Sequence, residues 1–219
     1  MSQIFQLKPS SRNTSLLKIA RALLLDDKVI ITPTDTIYGL AASLNSPNAI
    51  QRLYNIKERS VNNPLAICVA DIDEIYKYSD VTVSKNLLSE LLPGAVTVLF
   101  CRNTTLNSYL NPNTQLVGIR IPDHDFVRGL SRLCGPIALT SANISSHSSC
   151  LKIDEFQSLW NRVDAIFDGG TLGHIDPHRL GSTIVDLSCQ GQYKIVRKGC
   201  VYDQVVTTLT KYCLRSCFD

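Results

Sequence analysis

Residues 29–40 read VIITPTDTIYGL, and this stretch indicates the fold class. The β-branched run 29–31 predicts a strand that leads directly into Pro33, where the missing amide hydrogen ends the backbone ladder. Two threonine hydroxyls, one carboxylate and a glycine follow. Loops at strand ends are where α/β enzymes place functional groups, so the stretch predicts one wall of a small-molecule site. The alternative is structural, because threonine and aspartate also build helix N-caps and turns.

Helical and strand patterns alternate irregularly around this stretch. Helices are predicted over 14–25, 48–56, 72–78, 84–91, 126–133, 154–160 and 201–212. Strands are predicted over 29–31, 64–70, 95–101, 116–121, 136–139, 165–167, 182–187 and 193–196. Several strands follow one another without a helix between them. The pattern therefore favours an α/β fold with a mixed β-sheet flanked by helices over a doubly wound parallel sheet. No linker composition interrupts it, so residues 1–219 are predicted to form a single domain.

Composition excludes several classes of protein. The chain has 219 residues, of which 44% are hydrophobic and 19% charged, as in an ordinary globular protein. A net charge of +3 is too small to indicate a nucleic-acid binder by itself, so any polyanion would be held in a local pocket. No apolar run of membrane-spanning length occurs.

Cysteines and histidines do not form a metal-binding pattern. The eight cysteines are scattered without a C-x-x-C pair, which is typical of free thiols in a reducing compartment. His174 and His178 are separated by Pro177, which argues against one helical face, and no metal site is predicted. A cytoplasmic location is favoured. The first 25 residues hold four cations and no acid, so a mitochondrial location stays open.

Four further polar regions lie at predicted strand or helix ends. Residues 57–64 (KERSVNNP) carry two cations that either clamp phosphate oxygens or offset a helix dipole. Arg120, within GIRIP, lies in an apolar strand and must pair with a carboxylate of the protein or bind an anionic ligand. Residues 140–143 (TSAN), followed by serines, are rich in hydroxyls and backbone donors. The fourth region combines GST at 181–183 with VRKG at 196–199.

Common nucleotide and hydrolase motifs are absent. The sequence has no P-loop, no Rossmann fingerprint and no nucleophile elbow. The candidate groups are cations, hydroxyls and amides. Such groups suit positioning and charge neutralisation in phosphoryl or nucleotidyl transfer.

Taken in order, the motifs resemble the YrdC-like family. They are PTDTIYGL, K-x-R-x3-NP, PG-x-VT, GIRIP, TSAN, GSTIVD and VRKG. The resemblance covers about residues 14–210 and is closest to the short, animal-type, single-domain form. It implies a twisted mixed sheet around a large, positively lined concave site. The implied reaction joins L-threonine, bicarbonate or CO2, and ATP into threonylcarbamoyl-AMP and pyrophosphate. Mg²⁺ would accompany ATP. The product would pass to a tRNA threonylcarbamoyltransferase complex for the t6A modification of tRNAs that read ANN codons.

The resemblance also assigns site residues. The implied L-threonine contacts are Thr36, Cys68, Arg120, Leu139 and Ser182. The implied ATP contacts are Lys57, Arg59, Asn63, Leu116, Ser141, Asn143, Ser149 and Arg197. The implied catalytic cations are Lys57, Arg59 and Arg120. Cys68 departs from the histidine of many relatives, and Asp35 has no implied role.

Two other functions fit parts of the pattern. The same cations could serve a non-catalytic RNA-binding module associated with translation, for which a steep salt dependence would be diagnostic. A carbamoyl-transfer enzyme could use the same fold on another substrate. The modest net charge and the apolar flanks of Arg120 speak against the first, and the lack of zinc-finger segments speaks against the second.

Overall fold

A computed structural model describes residues 2–8, 13–58, 63–145 and 147–217. Its strands are β1 (Gln3–Gln6), β2 (Ile30–Thr32), β3 (Gly39–Ser43), β4 (Ala66–Cys68), β5 (Ser79–Asp80), β6 (Val96–Arg102), β7 (Leu116–Arg120), β8 (Ile137–Ser141), β9 (Ala165–Asp168), β10 (Thr183–Asp186), β11 (Gln192–Arg197) and β12 (Arg215–Ser216). Its helices are α1 (Thr14–Leu25), α2 (Pro47–Lys57), α3 (Ile75–Tyr78), α4 (Lys85–Leu91), α5 (Asp125–Cys134) and α6 (Tyr202–Lys211). Short 3₁₀ segments cover Ile72–Glu74 and Ile153–Leu159.

All the strands belong to one mixed sheet, as predicted. Its order is β1-β9-β2-β3-β8-β4-β7-β6-β10-β11-β12, with β5 paired to β6. The pairs β2/β3, β3/β8, β4/β8 and β6/β7 are antiparallel. The pairs β4/β7 and β6/β10 are parallel. The centre of the sheet therefore joins segments that are far apart in sequence.

Successive side chains of a strand point to opposite faces, and helices cover both faces. On one face, α1 and α5 pack with Ile30 and Phe167. On the other face, α2, α4 and α6 pack with Ile31 and Ile166. Both faces of the sheet are thus buried, which explains the near-continuous apolar runs of the central strands.

β3 was not predicted. Its sequence, GLAAS, has no β-branched or aromatic residue and would be a poor strand by propensity. All five residues are buried, and each pairs with a residue of β8. Tertiary burial between two stronger strands therefore overrides local preference. The short strands β1, β5 and β12 were also missed.

The structure corrects the predictions for TSAN and for residues 154–160. TSAN was read as a loop from its first residue, whereas β8 continues through Ser141 because each of its residues has a partner in β3. Residues 154–160 were read as a regular helix, but this segment is a 3₁₀ helix broken at Phe156, whose backbone is non-helical. Within the described ranges, none of the helices combines the length and hydropathy that crossing a membrane requires.

Candidate active site

A cavity of about 150 Å³ lies over the middle of the sheet. Ala66, Leu139, Thr97 and Arg120 contribute its floor from four different strands. Loops close its sides, including the turn that connects β2 to β3 and the segment that precedes β10. Non-local strand pairing thus brings together all five polar regions that the sequence singled out, with the region 57–64 represented among the lining residues by Pro64.

The turn between β2 and β3 is held by Thr34. Its buried Oγ1 accepts hydrogen bonds from the amides of Thr36 (3.1 Å) and Ile37 (3.2 Å) and donates to the carbonyl of Ile37 (2.7 Å). The structural reading of this stretch as a capped turn is thus correct in part, although no helix follows. The same turn places Asp35 and Thr36 against Arg120.

Arg120, at the end of β7, is almost fully buried. Its Nη2 donates to Asp35 Oδ1 (2.5 Å) and to Thr36 Oγ1 (2.9 Å). The side chains of Arg120 and Asp35 are 8% and 1% exposed. Arg120 Nε and Asp35 Oδ2 are buried without a hydrogen-bond partner in the described part of the chain. The arginine therefore has a protein carboxylate as partner and also keeps unused donor capacity while it lines the cavity.

The wall opposite the turn is built by the GST and VRKG motifs. Ser182 Oγ lies 2.8 Å from Thr97 Oγ1, and Arg197 Nη2 donates to the carbonyl (2.8 Å) and the hydroxyl (3.2 Å) of Ser182. A Cβ at Gly199 would lie only 2.3 Å from backbone atoms of Ser182 and Thr183. The glycine of VRKG therefore permits the close contact that places Arg197 at the cavity.

Lys57, the last residue of α2, lies in the wall beside the cavity and is only 1% exposed. Its Nζ lies within hydrogen-bond distance of four oxygens: Ser141 O and Oγ (both 2.9 Å) and Asn143 O (3.1 Å) and Oδ1 (3.0 Å). An ammonium group has three donors, so its hydrogen-bonding capacity is filled. Lys57 therefore holds the TSAN segment in place.

A second set of contacts holds the serine-rich loop over the cavity. Arg179 Nη1 donates to the carbonyl of Ser149 (2.9 Å), and Arg179 pairs with both carboxylate oxygens of Glu155 (2.6 and 2.9 Å). Ser149 lines the cavity. This bidentate pair thereby joins the loop around Ser149 to the loop that leads into Ser182.

The Sua5/YciO/YrdC family model, described as "Telomere recombination", matches residues 22–199. The chain belongs to the Sua5/YciO/YrdC family. It is 46% identical over 202 residues to the threonylcarbamoyl-AMP synthase of Bos taurus, covering 91% of this chain and 73% of that protein. Among solved structures, the fold matches E. coli YciO with a TM-score of 0.81 and 25% identity over 91% of this chain and 96% of that one.

P. abyssi Sua5 in complex with L-threonine has the same fold. Its TM-score is 0.81 at 23% identity, covering 99% of this chain and 62% of that chain. This chain thus spans less than two thirds of that archaeal protein. The mixed α/β fold predicted from the motifs is confirmed by these matches.

Not every residue that the YrdC resemblance implied lines the cavity of this family member. Arg120, Leu139, Ser141, Ser149, Ser182 and Arg197 do so. Thr36 is fully buried behind Arg120, and Lys57 and Asn143 stand in the adjacent wall. Arg59 lies outside the described residues.

Asn63 and Leu116 are not among the residues that line this cavity. Asn63 is exposed and precedes Pro64, which does line it. Leu116 begins β7, four residues before Arg120, which corresponds to about 13 Å along a strand. Leu116 and Arg120 therefore lie at opposite ends of the same strand.

Cys68 lies in β4 directly beside Arg120 but is completely buried. Its side chain belongs to the core under α5, and burial raises the pKa of its thiol to about 12 despite the neighbouring guanidinium. Its side chain is therefore not available to the cavity, and the prediction that its departure from histidine is mild depends on a contact through its backbone.

Sequence reasoning missed several groups that shape the site. Thr34 holds the turn, Asp35 pairs with Arg120, and Thr97 shares a hydrogen bond with Ser182. Thr97 belongs to the PG-x-VT motif, which could have pointed to it. Tyr38 donates to the Gly170 carbonyl (2.8 Å) and contacts an Asp168 oxygen (3.0 Å), and burial together with that carboxylate raises its pKa.

No cluster of three or more His, Cys, Asp or Glu side chains suited to a metal occurs among the residues that the structure describes. The carboxylates around the cavity are already engaged: Asp35 with Arg120, and Asp176 with the amides of Leu180 (2.8 Å) and Gly181 (2.6 Å). Among the described residues, these carboxylates therefore do not form a ready set of ligands for Mg²⁺.

Proposed function

We propose that this protein is an L-threonylcarbamoyladenylate synthase, which forms threonylcarbamoyl-AMP and pyrophosphate from L-threonine, bicarbonate or CO2, and ATP. The observation that carries the proposal is a single cavity with two kinds of lining group. The buried Arg120 lines it and keeps a donor without a partner among the described residues. Several hydroxyls and Arg197 also line it. The 46% identity to a threonylcarbamoyl-AMP synthase supports it.

The groups around Arg120 suit the amino acid. A guanidinium in a water-poor cavity binds a carboxylate strongly, and Arg120 is held in place by Asp35 and Thr36. Ser182 and Thr97 offer hydroxyls beside it, and Leu139 offers an apolar surface. A small amino acid with a hydroxyl and a methyl group matches these chemistries.

Other groups that line the cavity suit the nucleotide. Ser141 and Ser149 present hydroxyls, and Arg197 adds a cation. The buried charge of Lys57 lies directly behind Ser141 and adds positive potential without contacting the ligand. Arg59, in a motif that starts at Lys57, belongs to this proposal on the sequence pattern alone.

The proposed reaction has two steps. The threonine nitrogen attacks the carbon of CO2, a C–N bond forms, and the amine loses a proton to give a carbamate. A carbamate oxygen then attacks the α-phosphorus of ATP, and the bond to the bridging oxygen breaks to release pyrophosphate. The protein aligns the two anionic substrates, and its buried cations offset the repulsion between them. It also excludes water from the labile carbamate.

Mg²⁺ belongs to this proposal as the companion of ATP. It commonly binds through phosphate oxygens and waters with few protein ligands, which agrees with the engaged carboxylates around the cavity. When bound, it would neutralise part of the triphosphate charge. The product would then pass to a tRNA threonylcarbamoyltransferase complex. Three features stay predictions: a large, positively lined concavity, one domain over residues 1–219, and a cytoplasmic location with a mitochondrial one left open.

The test is pyrophosphate release. Purified protein with ATP, Mg²⁺ and bicarbonate should release pyrophosphate only when L-threonine is added, and mass spectrometry should detect threonylcarbamoyl-AMP. Omitting bicarbonate or replacing threonine with threoninol, which lacks the carboxylate, should abolish the signal. Release that ignores threonine, or steeply salt-dependent RNA binding without ATP binding, would refute the proposal.

A further inference from the structure

Asp176 is a fully buried carboxylate that the proposed chemistry does not use. It is not among the residues that line the candidate cavity, but the consecutive residues Leu180, Gly181 and Ser182 are. Asp176 Oδ1 accepts a hydrogen bond from the amide of Leu180 (2.8 Å), and Oδ2 accepts one from the amide of Gly181 (2.6 Å). One side chain outside the cavity thus holds the backbone of two residues that line it.

The charge of Asp176 strengthens this contact. A buried charge is costly unless its oxygens are hydrogen-bonded, and each carboxylate oxygen of Asp176 accepts one amide. Hydrogen bonds to an ionised acceptor are roughly twice as strong as those between neutral groups. Asparagine has the same shape but only one acceptor oxygen, so it could satisfy one amide and would turn a donor toward the other. The arrangement therefore requires a carboxylate.

The sequence around Asp176 favours the turn that makes these contacts. Aspartate followed by proline is typical of the first two positions of a β-turn, and the amide of Arg179 donates to the carbonyl of Asp176 (3.2 Å). Arg179 has a φ of 60°, in the left-handed region that residues with a side chain adopt at a cost. Its guanidinium pairs with Glu155 and donates to the carbonyl of Ser149. The turn therefore directs Arg179 toward one wall of the cavity and the next two residues into another.

Ser182 is the side chain whose position depends on this turn. The carbonyl of Gly181 accepts from the amide of Cys200 (3.0 Å), and the amide of Thr183 donates to the carbonyl of Ala95 (2.9 Å). Backbone contacts thus hold the residues on both sides of Ser182. Gly181 has a φ of 71°, and glycine has many other conformations open to it, so the wall stays ordered only where such contacts fix it.

We propose that Asp176 is a positioning residue: by accepting from the amides of Leu180 and Gly181, it holds the Ser182 hydroxyl where the amino-acid substrate contacts it. This inference rests on the proposed function, in which Ser182 contributes to the threonine site. It deepens that function by naming a residue outside the cavity that sets the affinity for threonine.

The threonine-dependent pyrophosphate assay tests the inference. Asp176→Asn should raise the KM for threonine roughly 10-fold, the equivalent of about one hydrogen bond, because a loosened wall must be ordered again when threonine binds. The kcat per folded molecule should stay nearly unchanged. A loss of folded protein alone would instead lower the measured rate and leave the KM as it was.

Glu74→Ala is the matched control, since it also removes a carboxylate that holds two backbone amides. Glu74 Oε2 accepts from the amides of Ala70 (2.7 Å) and Asp71 (3.3 Å). None of these three residues is among those that line the candidate cavity. Glu74→Ala should lower the urea midpoint of unfolding but leave the KM for threonine unchanged. An equal rise in KM in Glu74→Ala and Asp176→Asn would overturn the inference.

Pro177→Ala covers the case in which Asp176→Asn does not fold. Pro177 is exposed and presets the backbone of the turn, so alanine loosens the turn without removing the carboxylate. We expect the KM for threonine to rise roughly 2- to 5-fold. The amides of Leu180 and Gly181 should also exchange hydrogen faster than in the unchanged protein, as measured by NMR. Faster exchange with an unchanged KM would overturn the inference.

The two proposals can fail separately. If the unchanged protein releases no pyrophosphate in response to threonine, the proposed function fails. Hydrogen exchange at Leu180 and Gly181 then decides whether Asp176 positions this wall. Equal exchange rates in the unchanged protein and in a folded Asp176→Asn or Pro177→Ala variant would overturn the inference.

Discussion

Arg120 and Lys57 are both buried cations beside one cavity, but their surroundings differ. Lys57 Nζ lies near four neutral oxygens of Ser141 and Asn143, and its three donors are used. Arg120 has a carboxylate partner on one nitrogen and a buried Nε without a partner in the described part of the chain. A cation whose donors are filled supports structure, whereas one with donors to spare can bind a ligand.

The largest expected effect follows from replacing the arginine. Arg120→Met should lower kcat/KM for threonine roughly 100-fold or more, because a desolvated charge pair with the substrate carboxylate is lost. Threonine-dependent pyrophosphate release measures it. Arg132→Met, which alters an exposed pair with Asp71, is the matched control and should retain activity. A loss of less than tenfold in Arg120→Met would contradict the binding role.

Replacing the lysine should act on stability. Lys57→Met should lower the free energy of unfolding by about 3 kcal/mol, because buried oxygens of Ser141 and Asn143 lose their donor. Urea unfolding followed by circular dichroism measures it.

Lys85→Met provides the comparison for Lys57→Met. It removes a cation paired with Asp73 at the surface and should leave the unfolding free energy nearly unchanged, because exposed ion pairs contribute little. If Lys57→Met proved as stable as Lys85→Met, the distinction between a supporting and a binding cation would fail.

A smaller effect is expected at Tyr38. Its hydroxyl donates to Gly170 and accepts from the amide of Gly169, tying the wall of the site to the end of β9. Tyr38→Phe should cost about 1–2 kcal/mol of unfolding free energy through these unmade bonds. The same change at the exposed Tyr109 should have no measurable effect. Thermal unfolding of the two variants side by side tests this.

The smallest effect concerns the thiol beside Arg120. Burial raises the pKa of Cys68 to about 12, so the reactive thiolate is nearly absent at pH 8 and forms only as the pH approaches that value. Iodoacetamide at pH 8 should label Cys68 at less than about one tenth of the rate of the exposed Cys189. Peptide mass spectrometry measures both rates. Comparable labelling would show that the floor beside Arg120 is open to solvent.

Much of the fold could be predicted, because the strongest elements carry local signals. The stripe of apolar residues over 14–25 predicted α1 with both ends correct. β3 could not be predicted, since GLAAS has low strand propensity and forms a strand only between β2 and β8. The prediction of a regular helix around Phe156 was wrong for a related reason, because packing rather than propensity sets the backbone conformation there.

The candidate site could likewise be predicted only in part. Short polar motifs at strand ends identified Arg120, Ser141, Ser182 and Arg197 as its members before any geometry was known. The partners of these residues could not be read from the sequence. Asp35 lies 85 positions from Arg120, and Lys57 lies 84 positions from Ser141.

The sequence by itself determined which chemistry is present: cations, hydroxyls and amides at the ends of apolar strands, without acid–base pairs. Only the tertiary structure decided which cation keeps a donor without a partner among the described residues and which has its donors filled. That distinction depends on donor satisfaction and burial, and both are set by strand pairing across the sheet rather than by neighbours in the chain. The pairing of Asp35 with Arg120 could not be predicted for the same reason, since the two residues lie 85 positions apart in the sequence.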